Sequence, residues 1–139
     1  MAKEIRGIRN NNPLNIIKGN NWQGERNPQT DKVFEEFKSM EYGIRAGFII
    51  MRNNMRESLP KYRQCNTIRK LITRWAPPSE NATDKYIEFV CKKSGLLPDE
   101  EIRYREKSKM CAICDAMIRM ECGKSIDLKI IQSAYDMTF

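Results

Sequence analysis

The spacing of hydrophobic residues along the chain changes near residue 39. From there onward, apolar residues recur every three or four positions in five separate runs, which is the spacing of amphipathic helices that bury one face. Ser39, Thr83 and Ser125 precede three of these runs as N-cap residues. Gly95 and Gly123 follow two of them, where glycine commonly ends a helix. The pattern therefore predicts about five helices.

The region before this change has a different pattern. Between about residues 12 and 38, short apolar runs such as Ile16-Ile17 and Val33-Phe34 are separated by Gly, Asn and Pro. Such segments are typical of an irregular β-hairpin or a few short strands with loops. Together the two regions predict an α+β, mainly helical fold, with a small β lobe followed by a helical lobe over about residues 39–139. We expect one domain over residues 1–139, since this length supports one core and one cleft.

Two dense polar blocks stand out from this arrangement. Residues 7–16 read G-I-R-N-N-N-P-L-N-I, and residues 74–81 read R-W-A-P-P-S-E-N. Neither block has apolar periodicity, and both are rich in side chains that form hydrogen bonds from fixed loops. The three asparagines before Pro13 also suit a purely structural loop, because Asn tolerates left-handed backbone conformations. We predict that the two blocks form the walls of one site.

Charge is distributed unevenly between the two halves of the chain. The net charge is +7, with 15 Lys/Arg and 7 Asp/Glu in residues 1–75 against 10 and 11 in residues 76–139. A basic half favours a polyanionic partner, and nucleic acid, anionic lipid and bacterial cell-wall polymer all fit this description. No predicted helix has Arg, Lys and Asn clustered on one face for DNA recognition, which argues against nucleic acid.

The N-terminal residues and the cysteines indicate where the chain is made. No apolar stretch at the start could serve as a secretory signal, and none elsewhere is long enough to span a membrane. Five cysteines, an odd number, favour reduced thiols. Cys111 and Cys114 have the spacing of a metal or redox pair, but no second pair accompanies them and both fall within a predicted helix, which favours a role in the core. We expect synthesis in the bacterial cytoplasm and no metal or organic cofactor.

The chain contains no histidine, which removes several kinds of catalysis. Ser-His-Asp and Cys-His mechanisms and histidine-based zinc sites are excluded. Carboxylates can still act as acids and bases, and glycosidic bond cleavage is the commonest reaction that they perform. A carboxyl group in a partly apolar wall would have the raised pKa that a general acid needs. Any carboxylate near the first block also suits a solvated surface position. The carboxylates in or near the first block are Glu4, Glu25, Asp31, Glu35 and Glu36.

Four sequence blocks resemble a known family. They are R-G-I-R-N-N-N-P-L-N-I at residues 6–16, W-Q-G at 22–24, F-E-E-F at 34–37 followed by Y-G-I-R-A, and R-W-A-P-P-S-E-N-A-T-D-K-Y at 74–86. In this order they resemble a phage and prophage group of virion-associated, lysozyme-like proteins, over about residues 6–95. That group is distantly similar to the lysozyme superfamily, which includes bacterial glucosaminidases and lytic transglycosylases.

The resemblance implies a lysozyme-like fold in which a β lobe and a helical lobe enclose a cleft for peptidoglycan. The catalytic glutamate of such enzymes usually ends a helix before the β lobe, and Glu4 is the one carboxylate upstream here. Glu25 and Glu36 of the predicted hairpin are the other catalytic candidates, and loss of catalysis is a further alternative. The candidate substrate-binding residues, six from the resemblance and Trp75 from its aromatic ring, are Asn12, Asn15, Trp22, Trp75, Thr83, Asp84 and Tyr86.

The leading hypothesis is a phage-derived peptidoglycan glycosidase, of the lysozyme, glucosaminidase or lytic transglycosylase type, that cleaves the glycan strand with a carboxylic general acid. The alternative is a noncatalytic virion structural or glycan-binding module with the same fold. In either case the expected partners are the peptidoglycan glycan strand and other virion proteins. The expected location after synthesis is the virion or the cell wall.

Overall fold

A computed structural model of the chain describes residues 5–56 and 64–139. Within these residues the regular structure consists of six helices, with no strand. Glu4, one of the predicted catalytic residues, lies outside the described residues. The helices are α1 (Arg6–Arg9), α2 (Met40–Met55), α3 (Ile68–Trp75), α4 (Thr83–Ser94), α5 (Lys107–Cys122) and α6 (Leu128–Thr138).

The predicted α+β, lysozyme-like fold with a β-hairpin lobe is wrong. In residues 12–38, which we call the loop lobe, the described pairing is limited to two isolated antiparallel bridges, Ile17 with Phe34 and Glu25 with Phe37. In this region, side chains form hydrogen bonds with backbone groups that would pair with a neighbouring strand in a sheet. Asn12 alone donates to the carbonyl groups of Ile16 and Glu35 and accepts from the N–H of Ile16. Because its backbone groups are satisfied in this way, the segment folds as a loop.

The prediction of about five helices after residue 39 is largely confirmed by α2–α6. Several of the helix ends were predictable because they depend on local chemistry. Ser39 accepts a hydrogen bond from the N–H of Tyr42 and caps α2 as predicted. Gly95 and Gly123 end α4 and α5 in the left-handed conformation, with φ of 76° and 70°. Two of the predicted caps are wrong. Thr83 is the first residue of α4, and its hydroxyl donates to the carbonyl oxygen of Ala76 and does not cap the helix. The carboxylate of Asp127, and not Ser125, caps α6.

The core forms where the longest helices meet. Helix α5 packs against both α4 and α6, while α2 packs against α6. Cys111 and Cys114 are buried within this core, as the sequence predicts. Within the described part of the chain, none of the helices is both long and apolar enough to cross a membrane. Large side chains that are fully buried include Phe37, Phe48, Met51, Met110, Ile113 and Met117.

Glycines on α2 allow the first polar block to lie directly on the helix. A Cβ atom at Gly43 would lie 1.8 Å from the carbonyl oxygen of Asn11, and one at Gly47 would lie 2.2 Å from Cδ1 of Leu14. A side chain at position 43 would require the backbone of the block to move, whereas one at position 47 would require the Leu14 side chain to move. The glycine face of α2 therefore fixes the position of the loop that carries Asn15.

Candidate functional site

The two polar blocks border a single cleft of about 800 Å³. The first block and the loop lobe contribute residues 14–17, Asn20 and Phe34. The second block contributes residues 74–77, Glu80 and Asn81. The remaining lining residues are Ile50 and Asn54 of α2 and Glu121 of α5. The structure thus brings together two segments that are about sixty residues apart in sequence.

A buried carboxylate holds the first block in place. The side chain of Asp31 is 1% exposed and forms two hydrogen bonds with the guanidinium of Arg6, at 2.5 and 2.6 Å. It also accepts from the side-chain amide of Asn10 and from the N–H groups of Val33 and Phe34. The Arg6 guanidinium, with these other donors, holds the pKa of Asp31 far below its ordinary range. Asp31 therefore stays ionised and ties α1 to the loop lobe.

Two of the asparagines in the first block have left-handed backbone, with φ of 52° at Asn11 and 54° at Asn15. Asn tolerates this conformation better than other residues with a side chain. Asn12 between them is fully buried, and its side chain forms hydrogen bonds with the backbone of the loop lobe, so it does not border the cleft. Asn15, by contrast, lines the cleft.

The second block is a turn between α3 and α4. The N–H of Glu80 and the side chain of Asn81 both donate to the carbonyl oxygen of Pro77. The hydroxyl of Thr83 is buried and donates to the carbonyl oxygen of Ala76, which holds the turn against the start of α4. Trp75 is half-buried and lines the cleft.

Glu121 is the best-positioned carboxylate in the cleft. The hydroxyl of Tyr86 donates to its Oε2 at 2.9 Å. The side-chain amide of Asn15 donates to its backbone oxygen at 3.1 Å and has a longer contact of 3.4 Å with Oε1. Burial, and then the charge of Glu121, raises the pKa of Tyr86 far above its ordinary value, so this hydroxyl remains a donor. Three residues from distant parts of the sequence thus meet at one carboxylate.

Sequence reasoning identified Asn15 and Tyr86 but missed Glu121. The signal that could have found it is electrostatic. Glu121 lies in the last turn of α5, where the negative end of the helix dipole disfavours a carboxylate. A residue that opposes its local environment in this way is often retained for function.

The other predicted catalytic glutamates lie in the loop lobe and are not among the cleft-lining residues. Glu36 is buried and accepts hydrogen bonds from Thr30 and from the N–H of Asp31. Burial alone would raise its pKa, but these hydrogen bonds outweigh burial and leave the pKa below its ordinary value. Glu25 accepts from the N–H of Trp22 at 2.7 Å. Burial, and then the charge of Glu25, raises the pKa of the buried Glu35.

Two predicted binding residues also lie away from the cleft lining. Trp22 packs against the hydrophobic core, and Asp84 is exposed in the first turn of α4, where a carboxylate suits the positive end of the helix dipole. The roles predicted for them have no support from their positions. Of the seven predicted binding residues, the cleft and its carboxylate involve Asn15, Trp75 and Tyr86.

Comparison with known proteins gives one informative match. No known protein-family profile matches the chain. It is 41% identical over 124 residues to Protein P5 of Pseudoalteromonas phage PM2. The aligned region covers 86% of this chain and 72% of the phage protein.

Proposed function

Because the chain belongs to the family of Protein P5 from Pseudoalteromonas phage PM2, we propose that it acts for a phage, binding a peptidoglycan glycan strand in its cleft and cleaving it. The observation that carries this proposal is the position of Glu121, a carboxylate held by Tyr86 and Asn15 in a cleft that both polar blocks border. The basic half of the chain adds attraction toward an anionic wall polymer.

The composition of the cleft suits a sugar chain. Its volume of about 800 Å³ is within the usual range for ligand sites. Side-chain amides can donate to and accept from the hydroxyl and N-acetyl groups of a glycan. The half-buried ring of Trp75 offers an apolar face against which a sugar ring can pack. The cleft-lining amides are Asn15, Asn20, Asn54 and Asn81.

Glu121 has the chemistry that glycosidic cleavage requires. A carboxylic acid at the scissile bond protonates the leaving oxygen as the bond to the anomeric carbon breaks. Oε2 of Glu121 accepts from Tyr86, while Oε1 has only the long contact with Asn15. Oε1 is therefore the oxygen that we expect to carry the proton and transfer it. In this proposal Tyr86 and Asn15 are positioning residues.

The alternative, a noncatalytic virion component that binds glycan, is supported by a different observation. Glu25 and Glu36, two of the catalytic candidates from the sequence, hold the loop lobe together through hydrogen bonds. In this alternative the cleft binds the glycan strand and Glu121 only fixes the walls of the cleft. Contacts with other virion proteins would be expected in both cases.

The test is digestion of purified peptidoglycan, with soluble fragments identified by mass spectrometry. We expect the wild-type protein to release fragments and E121Q to release at least a hundredfold fewer, because general acid catalysis contributes about 10²–10⁴-fold. The control is D84N, a substitution on the exposed start of α4, which should digest normally. Anhydro or reducing ends on the fragments will distinguish a transglycosylase from a hydrolase.

Two results would overturn the catalytic proposal. One is release of fragments by folded E121Q at the wild-type rate. The other is wild-type protein that sediments with insoluble peptidoglycan but releases nothing, which would favour the binding module. Cooperative thermal unfolding of each variant establishes that it is folded.

A further inference from the structure

A second charged surface lies away from the cleft. It consists of five arginines, two on α2, one directly after its last residue and two on the connection between α4 and α5, and we call it the arginine surface. None of the five lines the cleft, and none forms an ion pair with a carboxylate within residues 5–56 and 64–139. Its members are Arg45, Arg52, Arg56, Arg103 and Arg105.

The arginines of α2 form a stripe along the helix. Arg45 and Arg52 lie on α2 and Arg56 is its C-cap residue. Because the three are spaced by seven and four residues, they fall on one face over about 16 Å. Burial, and then the charges of Arg56 and Arg45, lowers the pKa of Arg52. Like charges are thus close together here without a compensating carboxylate.

Aromatic rings hold two of these guanidinium groups in place. The guanidinium of Arg52 lies 5.9 Å from the ring centre of Phe139, and that of Arg105 lies 5.5 Å from the ring centre of Tyr104. The two rings stack on each other at 5.7 Å. These cation–π contacts fix the arginines while leaving their charges uncompensated. The surface is therefore ordered before any partner arrives.

One polar group at this surface lacks an acceptor. Nε of Arg52 is buried and has no hydrogen-bond partner among the described residues, whereas its Nη1 donates to the carbonyl oxygen of Thr138 at 3.4 Å. A buried cationic N–H without an acceptor is unfavourable. Because Nε is enclosed, an anion would have to bind this guanidinium through its other N–H groups.

The arginine surface borders a depression of about 900 Å³ that is lined by Arg56, Arg103, Tyr104 and Arg105. Two carboxylates, Glu101 and Glu106, also line it. Glu106 is compensated by Lys109 at 3.1 Å, and its carboxylate also accepts from the N–H of Arg103. The depression therefore keeps an excess of positive charge.

We propose that the arginine surface binds the phosphate backbone of nucleic acid without regard to base sequence. Guanidinium groups pair with phosphate through two parallel hydrogen bonds, and the surface contains arginine and no lysine. The rings of Tyr104 and Phe139 are already engaged with arginines and with each other, so they are not free to stack on bases. A stripe of about 16 Å matches several successive phosphates of one strand, which are about 3.4 Å apart along the axis of a duplex.

A membrane surface is the less favoured partner. The most exposed aliphatic side chains, Leu97, Ile17 and Leu128, are not part of the arginine surface. Phe139 is an exposed apolar side chain beside Arg52, but its ring already stacks on Tyr104. Insertion into lipid would need such side chains beside the cations. The absence of a recognition helix, which argues against sequence-specific reading, is compatible with binding to the backbone alone.

The test is fluorescence anisotropy with a labelled 24-base-pair DNA duplex of mixed sequence over a range of KCl concentrations. For the wild-type protein we expect the logarithm of the association constant to fall against the logarithm of KCl concentration with a slope of about −4.5, as about five phosphate contacts would give. In R103Q/R105Q, the slope should become shallower by about two and affinity at 0.1 M KCl should fall at least tenfold.

The matched control is K92Q/K93Q, which removes two exposed charges from the end of α4. It should change affinity by less than threefold, and E121Q should bind DNA as the wild type does. An absence of DNA binding at 50 mM KCl would overturn the proposal. So would equal losses in the two double variants, or binding confined to vesicles of anionic phospholipid.

Discussion

The carboxylate of Asp31 provides a direct test of how the loop lobe is held. In D31N, an amide nitrogen replaces one carboxylate oxygen. In either position this nitrogen faces hydrogen-bond donors. They are Arg6 and Asn10 at the position of Oδ2, and the N–H groups of Val33 and Phe34 at the position of Oδ1. Removing one partner of a buried ion pair costs about 3–5 kcal/mol. Arg6 is 46% exposed, so part of its loss is recovered by water, and we expect about 2–4 kcal/mol.

The effect should depend on pH with a defined sign. The pKa of Asp31 is lowered in the folded protein, so its contribution to stability is present above the pKa of the unfolded chain, about 3.9, and is lost as the pH falls below that value. Well below that pKa, each further pH unit of acidification lowers the free energy of unfolding by about 1.4 kcal/mol. The wild-type protein should therefore lose about 1.6 kcal/mol of its advantage over D31N between pH 4 and pH 2.5, because the unfolded carboxyl is only partly protonated at the upper end of this range.

The assay is urea denaturation of wild type and D31N at pH 7, 4 and 2.5. D84N serves as the control, because Asp84 is an exposed carboxylate whose side chain has no partner like Arg6 in the described structure. D84N should differ from wild type by less than about 1 kcal/mol at every pH. A difference between wild type and D31N below about 1 kcal/mol at pH 7, or one that does not shrink in acid, would refute this account of Asp31.

Two further predictions concern the cleft and the loop lobe. In Y86F, Oε2 of Glu121 loses its hydrogen bond, so we expect peptidoglycan digestion to fall by about 10–100-fold while stability falls by about 1 kcal/mol; normal digestion with an unshifted pH profile would contradict a positioning role. In the folded protein the pKa of Glu35 is raised, so its protonated form adds stability at low pH that is lost as the pH rises through the folded pKa. E35Q keeps a neutral donor, so its stability should not fall in this way as the pH rises. The measurement is the melting temperature of wild type and E35Q between about pH 4 and pH 7, and parallel curves of melting temperature against pH would contradict the prediction.

The helices could be predicted from the sequence because their signals are local. Ser39, Gly95 and Gly123 act on backbone groups within a few residues of themselves, so the pattern alone locates the corresponding helix ends. The loop lobe could not be predicted in the same way. The short apolar runs predict strands. In the structure, the side chains of Asn12 and Glu36 form hydrogen bonds with backbone groups of the loop lobe, and hydrophobic spacing does not reveal such bonds.

The candidate site was predictable only in part, for the same reason. The polar character of both blocks identified the cleft walls, and the resemblance to lysozyme-like proteins identified Asn15 and Tyr86. That resemblance also led to a fold that the structure contradicts. Glu121 becomes apparent only when α5 packs against α4, because its partners are 35 and 106 residues away in sequence. Contacts of this length leave no periodic trace in the chain.

The separation of Asn15 and Glu121 also has a consequence for the order of events during synthesis. The residues of the cleft walls lie between positions 14 and 81, whereas Glu121 follows 40 residues further along the chain. A ribosome-bound chain that has passed only the second block would have both walls without the acid. If Glu121 is the acid, cutting activity is withheld until α5 has docked, and a chain truncated before that helix would lack both the acid and the centre of the core.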